Sequence, residues 1–340
     1  MVRIINILFG FWRNKMSDYT RVYFEGLGID FDLPAVAFTI FGHDIHWYGI
    51  IIAFGFSLAV LYGGRMAYKW KMSLDGMTDV LIWGTILGII CARAYYVIFE
   101  WGYYKEHLNE IVQIWNGGIA IYGGIIGAII GAVIGCKIGK INIPNLFDLG
   151  ALGLLIGQGI GRWGNFFNQE AFGTNTTTAL FRMWSQKIAQ TLEYSADTLT
   201  AKGIEFDPNL PVHPTFLYES VWCLALFFVL NYIVQKKRKF KGEVFLLYGI
   251  FYGLERAVVE GLRTDSLYIG DTTLRVSQLL SIIIVFVFTV AFVVCCVKLK
   301  KGTLYKALML DTPDGQATDM PIENDNTIDN KEEIENGTDN

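Results

Sequence analysis

The chain has few of the residues that build metal centres and disulfide frameworks. Its 340 residues include four histidines and five cysteines. The histidines are dispersed at positions 43, 46, 107 and 213, and the cysteines lie in or beside apolar runs, without the spacing of zinc ligands or of a disulfide scaffold. We therefore interpret the cysteines as small core residues and expect no metal ion.

Charge is also scarce for a water-soluble protein. Charged residues make up 18% of the chain and hydrophobic residues 53%, with a mean hydropathy of +0.37. Several apolar runs reach the length of about twenty residues that a transmembrane helix needs, and a transmembrane barrel would need shorter, alternating segments. The sequence therefore predicts an all-α, polytopic membrane protein, and we expect membrane lipids rather than nucleic acid as its surroundings and partners.

Seven membrane-spanning helices can be drawn from the apolar runs. They cover residues 46–64, 78–99, 117–136, 147–164, 215–235, 242–260 and 273–297. Lysine and arginine gather after the first, third, fifth and seventh spans, within residues 65–71, 137–140, 236–241 and 298–301. Because positive charge collects on the cytoplasmic side, these ends are expected in the cytoplasm and the N-terminus outside.

This orientation divides the chain into three parts. Residues 1–45 form an N-terminal interfacial or extracytoplasmic segment, because the apolar stretch Ile4–Trp12 is too short to span and no small-residue cleavage site follows it. Residues 46–300 form the membrane domain, with a small extracytoplasmic head at 165–213 between the fourth and fifth spans. Residues 301–340 form a cytoplasmic tail, and its part from residue 311, with ten acidic residues against one lysine, is expected to be disordered.

The most informative polar stretch, Gly161–Gly173, reads GRWGNFFNQEAFG and follows a glycine-rich apolar run. It places Arg162, Asn165, Asn168 and Glu170 at the outer end of the fourth span. Polar groups at membrane depth cost free energy, so the density of such groups in this stretch favours a functional site. The alternative is an interfacial anchor, in which the arginine snorkels and the asparagines cap the helix end.

A second polar stripe lies on the sixth span. Tyr252, Arg256, Glu260 and Arg263 are spaced by four, four and three residues and so share one helical face. The alternative is an ion pair between Arg256 and Glu260 that only locks the bundle, but buried pairs are a poor source of stability. Arg162 and Arg256, both near the outer leaflet, suit an anionic phosphate because guanidinium offers a planar fork of donors. The pattern indicates a phospholipid substrate.

Further polar residues lie on the same side of the predicted membrane. They are His46, Trp47 and Tyr48 at the first span, Tyr122 in the third, and His213, Tyr218 and Glu219 at the fifth. Trp47 and Tyr48 are equally typical of an aromatic belt. We interpret His213 as a hydrogen-bonded structural histidine, and Arg93 in the second span as a possible packing arginine.

These motifs resemble those of the bacterial prolipoprotein diacylglyceryl transferases. The stretch Gly161–Gly173 is similar to the signature of that family. Supporting motifs follow in the same order: His46–Gly49, Gly117–Gly124, His213–Thr215, and Tyr252 through Arg263 to Asp265. The resemblance extends over roughly residues 35 to 300 and leaves out the N-terminal segment and the acidic tail.

The resemblance implies a multi-pass protein of the bacterial plasma membrane with seven spans and an extracytoplasmic head. It implies transfer of the diacylglyceryl group from phosphatidylglycerol to the lipobox cysteine of a prolipoprotein signal peptide, the first step of lipoprotein maturation. The reaction forms a thioether and releases glycerol phosphate. It needs no metal or organic cofactor, and the substrate supplies the nucleophilic thiol.

The resemblance also assigns residues. Arg162 matches a phosphatidylglycerol-binding arginine. Other important positions of the family fall on Asn165, Glu170, Gly173, Tyr48, Arg256 and Glu260. Together with the polar residues described above, they give two expected sets. The expected catalytic set is Arg162, Arg256, Tyr122, Glu170 and Glu260, and the expected substrate-binding set is Arg162, Asn165, Asn168, Gly173, Tyr48, His46, Tyr252 and Arg263. Tyr122 stands where some family members have a histidine considered a general base, so a histidine-base mechanism is doubtful in this chain. We expect the positive field of the arginines to favour the thiolate instead.

Two other functions share part of this pattern. A lipid transporter or flippase also places polar residues inside a glycine-rich bundle. Against it, the polar residues concentrate in the outer half and the chain has no convincing inverted repeat. An enzyme acting on another lipid phosphate would keep the arginines but would have no thiol acceptor.

Overall fold

The structure, a computed structural model, describes residues 20–114, 117–268, 272 and 274–310. The predictions for residues 1–19 and for the acidic tail from residue 311 lie outside the described residues. In order, the helices are α1 (Trp47–Lys69), α2 (Leu74–Phe99), α3 (Trp101–Tyr104), α4 (Ile121–Ile138), α5 (Ile143–Asn168), α6 (Gln186–Tyr194), α7 (Ala196–Ala201), α8 (Thr215–Lys236), α9 (Glu243–Leu262) and α10 (Val276–Lys300). The chain is therefore a mostly helical protein.

Six of these helices, among the residues that the structure describes, are long and apolar enough to cross a membrane. They are α1, α2, α4, α5, α8 and α10. The predicted sixth span, 242–260, corresponds to α9, which is 20 residues long. This helix carries Glu243, Glu255, Arg256 and Glu260 and is too charged to qualify by composition alone. A multi-pass membrane protein is confirmed, whereas the count of seven spans is not.

The prediction of an all-α chain was incomplete, because the described residues include five short strands outside the helical bundle. They are β1 (Thr20–Phe24), β2 (Ile29–Leu33), β3 (Val36–Ile40), β4 (His43–His46) and β5 (Met183–Ser185). Strand β1 pairs antiparallel with both β2 and β5, and β3 and β4 form a hairpin. The strands are rich in β-branched and aromatic residues, which fit a half-buried pleated surface.

A separate apolar core holds β1 and β2 against the segment between α5 and α8. Val22 and Phe24 of β1 pack with Met183 of β5, Ile188 of α6 and Phe216 of α8. Phe166 and Phe172 of the signature stretch belong to the same cluster. Chain segments from before α1 and after α5 therefore form one head, and this head fixes the end of the signature helix.

The helical bundle is built around α5. This helix packs against α1, α8 and α9. Its residues Leu149, Leu152 and Leu155 are almost completely buried and belong to the same core cluster as Met66 of α1 and Leu230 of α8. Because α5 lies in the middle, its last turn delivers the signature residues to the interior of the bundle end.

Helices α2 and α4 form a second, closely packed unit. The buried glycines of α4 recur every four residues, at 123, 127, 131 and 135. A Cβ atom added to Gly127 would lie 2.2 Å from the carbonyl oxygen of Leu87, and one added to Gly131 would lie 2.2 Å from that of Trp83. The glycines therefore allow backbone-to-backbone contact, as small residues do at membrane helix interfaces.

Candidate active site

The signature stretch leaves the helix through a sharp turn. Helix α5 ends at Asn168, and Gln169 and Ala171 adopt the left-handed conformation with φ of 51° and 55°. The buried Gln169 accepts a hydrogen bond of 2.6 Å from the Ser185 hydroxyl. The same hydroxyl oxygen accepts the backbone N–H of Ile188 at 3.1 Å and so caps α6. One serine thus ties the signature turn to the head.

Glu170 lies on the exposed side of this turn, beside two signature amides. Its Oε1 accepts hydrogen bonds from Asn165 Nδ2 at 2.9 Å and from Asn168 Nδ2 at 3.4 Å. The structure therefore brings together three residues that the sequence predicts for the site. The two amides fix the direction of the carboxylate.

Glu219 is the centre of an arginine cluster, which we define as Arg162, Arg256, Arg263 and Glu219. Its carboxylate lies 2.5 Å from Arg162 Nη2 and 3.1 Å from Arg256 Nη1, measured at Oε2. Arg263 Nη1 lies 4.0 Å from the other oxygen, Oε1. The residue is 0% exposed. Side chains from α5, α8 and α9 therefore converge at one carboxylate.

Two more carboxylates complete the pairing of the arginines. Arg256 Nη2 lies 2.5 Å from Glu260 Oε2, one helical turn further along α9. Arg263 donates two hydrogen bonds to Asp265, of 2.8 and 2.6 Å. The ion pair between Arg256 and Glu260, which the alternative interpretation requires, is present. Since Arg256 also binds Glu219, this pair belongs to a network that reaches Arg162 rather than to one helix alone.

Sequence reasoning missed the roles of Glu219 and Glu255. The sequence pattern indicates Glu219 only as a polar residue at the start of the fifth span, and it does not indicate Glu255 at all. Glu255 is buried, and neither of its carboxylate oxygens has a hydrogen-bond partner within the described part of the chain. It interacts electrostatically with Glu219, Arg162 and Arg256. The available signal was an acidic residue next to Arg256 in an otherwise apolar segment.

Tyr252 lies on the same face of α9 as Arg256, one turn further from the head. Its ring stacks on that of Tyr248, with 5.3 Å between the ring centroids. The Tyr248 hydroxyl accepts a hydrogen bond of 3.1 Å from Gln158 of α5. These contacts fix the wall of the bundle next to the arginine cluster.

Gly173 and His213 join the signature stretch to the start of α8. The Gly173 N–H donates to the His213 carbonyl at 2.9 Å, and a Cβ atom on Gly173 would lie 2.8 Å from the Cβ of His213. His213 Nδ1 and the Tyr218 hydroxyl are 3.2 Å apart. Burial lowers the pKa of His213. These contacts agree with a structural, neutral histidine.

Tyr48 and His46 lie at the start of α1, which packs against the signature helix. Tyr48 is in the first turn of α1, and a Cβ atom on Gly164 would lie 2.8 Å from its ring. The rings of Trp47 and Phe167 are in contact at a tilt of 30°, with 5.4 Å between their centroids. The residue before α1, His46, is exposed and does not cap the helix through its side chain. Tyr48 therefore touches the signature helix, and His46 lies at the edge.

Tyr122 lies in the first turn of α4, on the unit formed with α2, and is half-buried. Within the described residues no hydrogen bond joins it to the arginine cluster.

Arg93 of α2 holds the loop that leads to Tyr122. Its guanidinium donates to the carbonyls of Glu110, Ile111, Gly117 and Gly118 at 2.6–2.7 Å. The interpretation of Arg93 as a packing arginine fits these contacts.

The sequence matches a known family over most of its length. The profile of the prolipoprotein diacylglyceryl transferases matches residues 35–294. A phosphatidylglycerol–prolipoprotein diacylglyceryl transferase of Finegoldia magna is 44% identical over 269 residues, which is 79% of this chain and 97% of that protein. Proteins of the same name from Pediococcus pentosaceus and Listeria welshimeri are 43% and 42% identical over 253 residues, 74% of this chain and 86% of each relative.

The fold, the polar cluster at one end of the bundle and these matches define the chain as a multi-pass membrane transferase. More narrowly, it belongs to the prolipoprotein diacylglyceryl transferase family.

Proposed function

We propose that this protein transfers the diacylglyceryl group of phosphatidylglycerol to the thiol of a lipobox cysteine in a prolipoprotein signal peptide. The product is a thioether, and glycerol phosphate is released. The observation that carries the proposal is the arginine cluster, in which Arg162 and Arg256 converge on Glu219 beside the signature turn. The names of the relatives, which specify phosphatidylglycerol and a prolipoprotein, support the two substrates.

The lipid phosphate binds to further N–H groups of Arg162 and Arg256, beside the carboxylates that already pair with these arginines. Arg162 and Arg256 each have one nitrogen within 2.5–3.1 Å of Glu219, and their side chains are partly exposed. A guanidinium offers five N–H donors, so each arginine can bind a phosphate oxygen while it keeps a carboxylate. The interior of the bundle end excludes most water and strengthens such pairs.

The chemistry is a substitution at the C3 carbon of the diacylglycerol moiety. The cysteine thiol loses its proton to solvent, and the sulfur forms a bond to C3. The bond between C3 and the phosphate oxygen breaks, and its electron pair leaves with glycerol phosphate. The positive field of Arg162 and Arg256 favours the thiolate over the thiol and stabilises the charge that grows on the departing phosphate.

The remaining predicted residues position the two substrates. Asn165, Asn168 and Glu170 form a hydrogen-bonded group at the exposed side of the signature turn and meet the substrate near the head. Tyr48 packs beside Gly164 of the signature helix, and Tyr252 lies one turn from Arg256 on α9. Tyr122, on the opposing unit of α2 and α4, orients a substrate through its hydroxyl and is not the base. Glu260 holds Arg256 in place.

The proposed arrangement in the plasma membrane has seven spans, with α9 as the sixth. Positive charge after α1, α4, α8 and α10 supports a cytoplasmic location for those ends. The head and the N-terminus then lie outside, where prolipoproteins emerge, and the acidic tail lies in the cytoplasm.

The test is a transfer reaction with purified protein in nanodiscs. A lipobox peptide and the same peptide with serine in place of cysteine are each incubated with nanodiscs of phosphatidylglycerol or of phosphatidylethanolamine, and the peptide mass is measured. We expect the mass of one diacylglyceryl group to be added only with cysteine and phosphatidylglycerol. Redistribution of lipid between leaflets without any thioether would favour a transporter and reject the proposal.

A further inference from the structure

A cavity of about 300 Å³ opens on the head side of the signature turn. We call it the outer cavity. Its floor is the turn itself, residues 168–172, and its walls are the polar side of α6 with Lys187 and Thr191, the start of α7, and the segment Thr264–Asp265 after α9. It therefore lies beyond the end of α5, whereas Arg162 lies within that helix.

The outer cavity is connected to the arginine cluster through the side chain of Asp265. Asp265 lines the cavity and binds Arg263 through two hydrogen bonds. Glu170 also lines it and is held by Asn165 and Asn168. A ligand in the cavity is thus separated from the cluster by one layer of side chains.

The lining chemistry suits a polypeptide better than a phosphate. Lys187 is the single cationic residue among the described residues that line the cavity, and no arginine is present. Hydroxyl groups of Thr191, Ser195 and Thr264 and the carboxylates of Glu170 and Asp265 can accept backbone N–H groups. Lys187 and Asn168 can donate to backbone carbonyls. The volume lies at the low end of ligand pockets and fits a short segment.

We propose that the outer cavity binds the segment of the prolipoprotein that follows the lipobox cysteine. This inference rests on the proposed function. The thiol must reach the arginine cluster at the bundle end, and the signal segment that precedes it lies among the spans. The chain after the cysteine therefore leaves toward the head, and the outer cavity is on that path.

The experiment compares two acceptor peptides with the same protein. One peptide ends at the lipobox cysteine as an amide, and the other continues for three further residues. For each, KM and kcat are measured, along with KM for phosphatidylglycerol, for wild type, Thr191→Tyr, Lys187→Ala and the control Glu193→Tyr. Thr191 and Lys187 line the cavity, whereas Glu193 is exposed on α6 and does not line it.

We expect a lower KM for the extended peptide than for the truncated peptide in wild type. Thr191→Tyr fills the cavity, and Lys187→Ala removes a hydrogen-bond donor. Each variant should therefore raise the KM for the extended peptide, divided by the KM for the truncated peptide, at least fivefold. Glu193→Tyr should leave that ratio unchanged.

Three results would overturn the assignment. They are equal KM values for the two peptides in wild type, equal effects of the variants on both peptides, or a rise confined to the KM for phosphatidylglycerol, which would place the lipid headgroup in the cavity. Failure of the proposed function itself is distinct, because neither peptide would then form a thioether in wild type.

Discussion

Arg162 and Glu219 lie on different helices, α5 and α8, and their side chains meet at 2.5 Å between Nη2 and Oε2. Both side chains are largely withdrawn from solvent. The pair joins the signature stretch to the stripe on α9, since the same carboxylate oxygen also accepts from Arg256. Substitutions of the two partners therefore have different consequences for activity and for stability.

Replacing Arg162 should abolish transfer without unfolding the protein. Arg162→Ala removes a charge-assisted donor to the phosphate, and loss of one such donor lowers kcat about 100-fold or more. Arg162→Lys keeps the charge without the planar fork and should recover only part of the rate. The measurement is thioether formation by purified, folded variants. Wild-type turnover by Arg162→Ala would reject the assigned role.

Replacing Glu219 should destabilise the protein more than replacing Arg162 does. Glu219→Ala leaves three guanidinium groups without their common partner, and removal of one member of a buried pair costs about 3–5 kcal/mol. Arg162→Ala leaves Glu219 paired with Arg256 at 3.1 Å. The comparison is thermal unfolding in the same detergent. Equal melting temperatures for the two variants would contradict the central position of Glu219.

Gly173→Ala should destabilise the junction between the signature turn and α8. The added Cβ atom would lie 2.8 Å from the Cβ of His213 and 3.2 Å from the carbonyl oxygen of Leu262. Overpacking of this kind costs about 1–3 kcal/mol. The matched control is Gly150→Ala in α5, where no atom lies within 4 Å of the added Cβ, so no loss of stability is expected. Equal melting temperatures for both variants would show that the junction can relax.

His213 should make stability fall in mild acid. Burial lowers its pKa below the ordinary value of about 6.5. The unfolded chain then binds a proton at a pH where the folded chain does not, so the contribution of His213 is complete above about pH 6.5 and is lost as pH falls through the folded pKa. Between pH 7.5 and pH 5, the melting temperature of His213→Gln should fall less than that of wild type. The control is His43→Gln, at an exposed position of β4.

Tyr122→Phe should slow transfer and not eliminate it. A phenol with a pKa of about 10 is a poor general base near neutrality, so its hydroxyl is expected to orient a substrate. Loss of a hydrogen bond to a charged group, about 1.5–3 kcal/mol, corresponds to about a ten- to hundredfold lower rate. The pH–rate profile of the variant should still rise around the pKa of the thiol. A folded, lipid-binding but inactive variant would point to direct proton transfer.

Local sequence patterns predicted the helices and one face of the site. The apolar runs correspond to helices because length and hydropathy alone mark a span. Tyr252, Arg256 and Glu260 share a face because helical spacing determines it. The glycines of α4 recur every four residues, and this face packs closely against α2.

Long-range contacts were beyond these patterns. Strand β1 pairs with β5, and this pairing joins Val22 to Ser185 although helices α1 to α5 lie between them in the sequence. Glu219 becomes the centre of the cluster only when α5, α8 and α9 are brought together. Neither relation leaves a periodic signal in the sequence. The role of Glu219 follows from its three partners, and no property of its own segment reveals it.

In the proposed arrangement with α9 as a span, the charge of this helix affects how the protein enters the membrane during synthesis. A charged residue at the centre of a helix opposes insertion from the translocon by about 2.5–3.5 kcal/mol, and α9 carries Glu255 and Arg256 close to its middle. Glu219 on α8, which pairs with Arg256, and the apolar surfaces of α5 and α8 are made earlier by the ribosome. Helix α9 is therefore expected to integrate by joining the earlier helices as a group. Independent entry of this one segment into lipid is disfavoured.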